Sequence, residues 1–474
     1  MYHTGCVVTF GKVPSQQLID RKQELEALAE AATRASSGTP QLVVVWGRRR
    51  VGKTFLLSHF ANDRRAVFFG ATQQAQAVEL GRLADAVRRG LGEQAADLAG
   101  GGFASWEAAL RFFVALAAEE PLTVVLDEVP YLTASTPGFA SIVQAVWDHV
   151  PAATRLTLVL CGSAIAMMEA MIGARGALRG RPTLTLRLSP LDPVHARAFI
   201  PALKPAAFVE AYAACGGYPL HLRAWDPDRS TDANLLRLAG MAGGLLLEDA
   251  ASMLAEELPH AGGYTRVLAA VGRGRTHFAE IAAESGQRVE RPLETLIRAG
   301  LISRVLPVGA PRGARASYEI ADPYLAFWFG VLYSDIPQIE AGQGSAVLSR
   351  KNPSWQRHLG AVFEDLARLH ARRLAARGEL PSDLVIDRWW ASSGEPCEVD
   401  VVGLRGARSV LVGEARWQAR PLGSRDLAQL RRKAMRVPRA VELPTFALWG
   451  RGGVEDRILA ADVLGFDPQD MLSL

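Results

Sequence analysis

Between residues 41 and 190, short apolar runs alternate with stretches of helical periodicity: LVVVW, AVFFG, LTVVLDE, LTLVLCGS and LTLRL are separated by amphipathic segments. Runs this short, bounded by polar or turn residues and alternating with helices, predict a parallel sheet wrapped by helices. An amphipathic helix with Leu25 and Leu28 on one face is expected at 18–34, before the first strand. The strands stop after 190. Residues 191–260 read as helical with breaks at Gly216–Gly217 and Pro219, a pattern expected of a helical lid. Residues 264–320 hold three short helical patterns followed by LISRVLPVG and ASYEI around a Gly/Pro-rich tip, which predicts a winged helix. SRKNPS at 349–354 has the composition of a linker.

The last segment opens on a long amphipathic helix at about 355–377, with Trp355, Leu359, Phe363, Leu366 and Leu369 apolar. Three strands (LVIDRWW, CEVDVVGL, SVLVGEARW), a helix near 424–436 and the strand FALWG complete an α-β-β-β-α-β order. The expected fold class is therefore α/β. A P-loop parallel sheet (15–190) is followed by a helical lid (191–260), a winged helix with a connecting helix (261–348) and a C-terminal α/β domain (349–474). A length of 474 residues suits several modules, since domains average roughly 100–200 residues.

Composition narrows the class of protein. With 49% hydrophobic and 22% charged residues the balance is that of a globular chain, and no apolar run reaches the length of a membrane span. The N-terminal segment lacks the pattern of a secretory signal, so a soluble, cytoplasmic protein without membrane contact is expected. The four cysteines are scattered without a CxxC pair, which argues against a zinc site or a disulfide framework. Net charge is +4, yet residues 350–451 hold 19 Lys/Arg against 11 Asp/Glu. A basic module of this kind suits a polyanion such as DNA.

The chemistry concentrates at two places. GRRRVGKT (Gly47, Arg48, Arg49, Arg50, Val51, Gly52, Lys53, Thr54) follows one buried strand and precedes a helix, which is the context a phosphate-binding loop requires. Its backbone N–H groups would curve around the phosphates of ATP. Lys53 would contact the β- and γ-phosphates and the Thr54 hydroxyl would ligate Mg²⁺. The chain has only six lysines against 47 arginines, so a lysine at this position is less easily accidental. TVVLDEVPYL then ends an apolar strand in two acids, Asp127 for the Mg²⁺ shell and Glu128 to polarise the attacking water. Ser163, ending a further strand, is placed to sense the γ-phosphate. Arg155, Arg175, Arg179 and Arg181 are candidates for stabilising charge on the transferring phosphoryl group.

With DRKQELEAL, GRRRVGKT, VLDEVPYL, LCGSAIAMM, GRPTLTLRLSPL and CGGYPLHL in this order, the chain resembles the archaeal-type ATPases of the STAND/AAA+ superfamily. It departs from that family's GR-x-x-E-L opening, since Asp20–Arg21 stands in place of Gly-Arg. Gly217, Tyr218 and Pro219 match the family's lid motif near the nucleotide. The resemblance implies a winged helix, DNA among the partners or else a protein partner or homo-oligomer, and a role in defence or genome maintenance. It also implies a C-terminal domain similar to the PD-(D/E)XK nucleases, which gather carboxylates around a divalent metal.

The residues offer such a set: Glu364 in the first helix, Asp400 in CEVDVVGL and Glu414 in LVGEARW, oxygen ligands suited to Mg²⁺ or Mn²⁺. The E-x-K lysine is replaced by Arg416, which can hold a phosphate but cannot give up a proton near neutral pH. Lys433 and Gln429 on the following helix are further candidates. Arg288 and Arg291 are the candidate DNA contacts of the winged helix. Trp389, Trp390 and Trp417 are expected in the core or against strands.

Overall fold

The computed structural model describes residues 18–92, 102–258, 262–310, 313–391 and 395–473. The chain divides into two compact units after Pro190.

The first unit is built on five parallel strands: β1 (Gln41–Trp46), β2 (Ala66–Gly70), β3 (Leu122–Asp127), β4 (Leu156–Gly162) and β5 (Leu184–Arg187), in the order β2-β3-β4-β1-β5. The three inner strands are buried at every residue, which explains their unbroken apolar sequences. The edge strands β2 and β5 keep an alternation of inward and outward residues. Helix Trp106–Glu119 starts on an Ser105 cap and sets Trp106, Ala109, Leu110 and Phe113 into the core. Full burial of each such large side chain contributes about 2 kcal/mol. The chain leaves β1 toward β2 on one side, while β4 is followed by β5 on the other side of β1. Ligands of open α/β sheets bind at such a reversal, beyond the carboxyl ends of the strands.

The second unit begins with helices at Pro193–Ala196, Pro205–Cys215, Pro219–Ala224, Thr231–Ala239 and Leu245–Glu257. Three more follow (Gly262–Gly272, Phe278–Ser285, Glu290–Arg298), then the antiparallel pair β6 (Ile302–Val305) and β7 (Ser317–Ile320). The segment expected to be a linker is helical instead: helix Gly344–Arg350 is followed, after Lys351, by helix Asn352–Ala376. Pro353 falls in the first turn, where its missing N–H removes no helical hydrogen bond, and Lys351 is anchored to Asp335 at 2.9 Å.

The long helix packs on a mixed sheet of β8 (Val385–Trp390), β9 (Glu398–Arg405), β10 (Arg408–Arg416), β11 (Ala440–Gly450) and β12 (Val463–Phe466), in the order β12-β11-β10-β9-β8. The β8-β9 and β9-β10 pairs are antiparallel, and the remaining two are parallel. Helix Ser424–Ala434 packs against β9, β10 and β11. Trp389 joins the core of this sheet, and Arg388 covers the Trp390 ring at 5.3 Å. Trp417 packs edge-on against Phe363 at 5.2 Å.

Candidate functional site

The loop between β1 and helix Lys53–Ala61 is shaped by two glycines. A Cβ on Gly47 would stand 2.2 Å from the Leu188 carbonyl oxygen, so only glycine allows the loop to leave β1 this close to the end of β5. Gly52 has φ of +95° and forms the N-cap of the helix, a left-handed conformation that costs a non-glycine residue. Arg50 also has a positive φ, +71°. The helix thus starts directly behind the loop, and the first N–H groups of a helix lack intrahelical partners, an arrangement suited to an anion.

Lys53 is 5% exposed and its ammonium folds back on the loop, donating to the carbonyls of Gly47 (2.8 Å) and Arg48 (3.0 Å). The charge is therefore held within the curve of the loop. Thr54 Oγ1 donates to Asp127 Oδ2 at 2.7 Å, bringing together the two groups expected to share a Mg²⁺ ion. Asp127 is 3% exposed, and its Oδ1 accepts the Glu128 N–H at 3.0 Å.

Glu128 has φ of +55°, a left-handed backbone that ends β3 and caps the next helix. A non-glycine residue held there is strained, and such strain gathers at functional positions. Its Oε2 accepts the Ser163 hydroxyl at 2.7 Å. Ser163 reaches Glu128 because β4 lies between β1 and β3 in the sheet. Just inside β4, burial and the charge of Asp127 push the Cys161 thiol well above its ordinary range.

Arg21 was not recognised from the sequence as a support for the loop. It is 8% exposed, with guanidinium donors to the carbonyls of Val51 (3.4 Å) and Ser189 and to Glu24 (3.0 Å). It ties the helix Lys22–Ser36 to the loop from outside; its place in the opening motif was the available signal. Of the candidate arginines, Arg181 makes a bidentate pair with Asp148 at 2.7 Å from both donors. Arg179 donates to the Ala174 carbonyl, and Arg155 and Arg175 are exposed. Pro219 starts helix Pro219–Ala224 in the second unit.

The C-terminal sheet carries the second cluster. Asp400 (8% exposed) on β9 accepts the Ala415 N–H at 2.9 Å, and its own carbonyl accepts from Arg368 at 3.0 Å. Glu414 (5% exposed) on β10 is held by Arg416 and by Lys433, whose Nζ donates to both Glu414 oxygens at 2.7 Å. Glu364, on the long helix, lies within electrostatic reach of Asp400. Burial, reinforced by the Asp400 charge, pushes the Glu364 carboxyl up to about 8. Burial also raises Asp400 and Glu414, opposed at Asp400 by the Ala415 N–H and at Glu414 by Lys433 and Arg416. Among the described residues no group of three or more His, Cys, Asp or Glu side chains is arranged to hold a metal ion.

A parallel sheet with a glycine-shaped loop after β1, acids after β3 and a hydroxyl after β4 defines a P-loop nucleotide-binding fold. Residues 18–224 match the family described as "ATPase domain predominantly from Archaea", and residues 328–432 match one described as "Archaea bacterial proteins of unknown function". An uncharacterized protein of Methanocaldococcus jannaschii is 26% identical over 440 residues, spanning 90% of this chain and 93% of that relative. Among solved structures, the Walker-type ATPase of Pyrococcus abyssi superposes with a TM-score of 0.48 at 19% identity, over 66% of this chain and 96% of that one. The Aeropyrum pernix ORC2 protein, in ADPNP–ADP complexes, gives 0.43 at 14% identity, over 68% and 95%. Among the described residues no helix is long and apolar enough to cross a membrane.

Proposed function

We propose that the chain is a Mg²⁺-dependent ATPase whose nucleotide state switches a DNA-interacting second unit. The observation that carries the ATPase part is the pair of contacts at neighbouring strand ends, Thr54 to Asp127 and Ser163 to Glu128, beside a loop that holds Lys53. The donor set fits Mg²⁺·ATP: a hydroxyl and a carboxylate for the ion, an ammonium and helix N–H groups for the phosphates.

The bound nucleotide and ion supply an electrophilic phosphoryl group whose charge the metal neutralises. The loop from Gly47 to Thr54 would hold the phosphates, Thr54 and Asp127 would hold the ion, and Glu128 would accept a hydrogen bond from the attacking water. Ser163 holds the Glu128 carboxylate in place. ATP turnover measured with and without Mg²⁺, and with and without DNA, tests this reading. Turnover that needs Mg²⁺ and rises with DNA is expected; turnover indifferent to DNA would remove the DNA-linked part.

For the second unit, the three helices and hairpin at 262–320 fit a winged helix. The order of elements after 352 fits a PD-(D/E)XK fold, with Glu364, Asp400 and Glu414 as its acids. Metal-dependent cleavage is opposed by one specific observation: both oxygens of Glu414 are engaged by Lys433, and Arg416 adds a further donor. That contact favours a second unit that binds nucleic acid without cutting it. The cationic surplus of residues 350–451 supports the same partner.

A further inference from the structure

Lys433 sits in the last turn of helix Ser424–Ala434, with its side chain 20% exposed, and it spans Glu414 symmetrically at 2.7 Å to each oxygen. A divalent ion held by Glu414 would claim those same lone pairs. The second acid, Asp400, accepts the Ala415 N–H through Oδ2 at 2.9 Å, which fixes the direction of its carboxylate. Arg368, Arg416 and Lys433 stand around these acids, with Arg368 paired to Asp365 and with Asp365 and Glu398 adding negative charge near Glu364.

The residue type points the same way. The chain uses 47 arginines and six lysines, yet Lys53 and Lys433 both stand against oxygen atoms within the two acid- or phosphate-directed sites. An ammonium is a compact point charge with three donors, whereas a guanidinium is a planar fork. The Lys433 ammonium spans both Glu414 oxygens, whereas the Arg416 guanidinium reaches Oε1 alone.

We infer that Lys433 is the resident cation of this carboxylate site, its ammonium standing at Glu414 in place of a divalent metal and keeping one out. The inference rests on the non-cleaving reading of the second unit. Its test is Mn²⁺ binding to the nucleotide-free full-length chain, followed by calorimetry and by the loss of the free-ion electron paramagnetic resonance signal.

Wild type is expected to show no Mn²⁺ site that depends on Asp400. Lys433→Met should gain one site, at least about tenfold tighter than any wild-type binding there, and Lys433→Met/Asp400→Asn should lose it. Lys433→Gln keeps an amide donor without the charge and carries the same comparison if the methionine variant fails to fold. Asp400-dependent Mn²⁺ binding by wild type would overturn the inference, as would folded Lys433 variants that gain no site. Plasmid integrity in the same wild-type samples separates the two ideas. Asp400-dependent cleavage overturns the non-cleaving reading itself, while metal binding without cleavage overturns only the role of Lys433.

Discussion

The Ser163 hydroxyl donates to Glu128 Oε2 at 2.7 Å, joining the end of β4 to the acid that follows β3. This bond fixes the direction of one oxygen of a carboxylate whose backbone is held in the left-handed region. Ser163→Ala is expected to lower ATP turnover about tenfold, the consequence of losing a hydrogen bond worth about 1.4 kcal/mol. Nucleotide affinity should stay within about twofold. Steady-state turnover and equilibrium binding of a fluorescent nucleotide, measured on the same samples, check both halves.

Lys53→Ala acts at the other end of the site. It removes the ammonium held by the Gly47 and Arg48 carbonyls, and with it the loop's cation for the β- and γ-phosphates. The expected outcome is a loss of ATP affinity of at least about tenfold, in line with a charge-assisted contact worth roughly 1.5–3 kcal/mol. Calorimetric titration with ATP and Mg²⁺ reads it directly.

The two clusters differ in how far the sequence disclosed them. The phosphate loop is local: eight consecutive residues between an apolar strand and a helix state its conformation, and Gly47 and Gly52 take the special geometries that glycine allows. Asp127 and Glu128 were legible because acids ending a fully apolar strand have no structural reason to be there. The Ser163–Glu128 contact was not legible, since it depends on β4 lying beside β3, a long-range property of the sheet. Lys433 was legible as a candidate on the helix after β10, but its contact with Glu414 was not. Its partner is 19 residues away, and the approach depends on how that helix packs on β10. SRKNPS was misread because Ser, Asn and Pro mark turns and also helix starts, and the anchoring Asp335 is distant in sequence.

Stability should fall as pH rises from about 4.5 toward 8. Burial and the Asp400 charge lift Glu364 from an ordinary 4.5 to about 8, so across that window the folded state binds more protons than the unfolded one. Unfolding free energy then has a negative slope against pH, and the contribution of the protonated carboxyl is lost as pH passes the folded value. Asp400 and Glu414, shifted in the same direction, add to the slope. Glu364→Gln should flatten the dependence, measured as urea midpoints between pH 5 and about 8.5. A steeper dependence in the variant would contradict the assignment.

Binding of duplex DNA by the full chain should weaken steeply with salt, because neutralised phosphates release counterions on association. Arg288, just before helix Glu290–Arg298, and Arg291, in its first turn, are both exposed. Replacing both with alanine should reduce the slope of log affinity against log salt by about 2 and weaken binding uniformly across sequences. Fluorescence anisotropy over a salt series makes the comparison, and an unchanged slope would move the interface elsewhere.

On the reading proposed above, Glu128 orients the attacking water while Lys53, Thr54 and Asp127 hold the nucleotide and its ion. The most direct test of that reading is ATP turnover and ATP affinity measured together for wild type and Glu128→Gln at saturating Mg²⁺. The glutamine can still accept from Ser163 but is a poor proton acceptor. The account predicts unchanged affinity with turnover reduced by roughly 10²–10⁴, the usual contribution of a positioned general base. Equal turnover in the two proteins would contradict it.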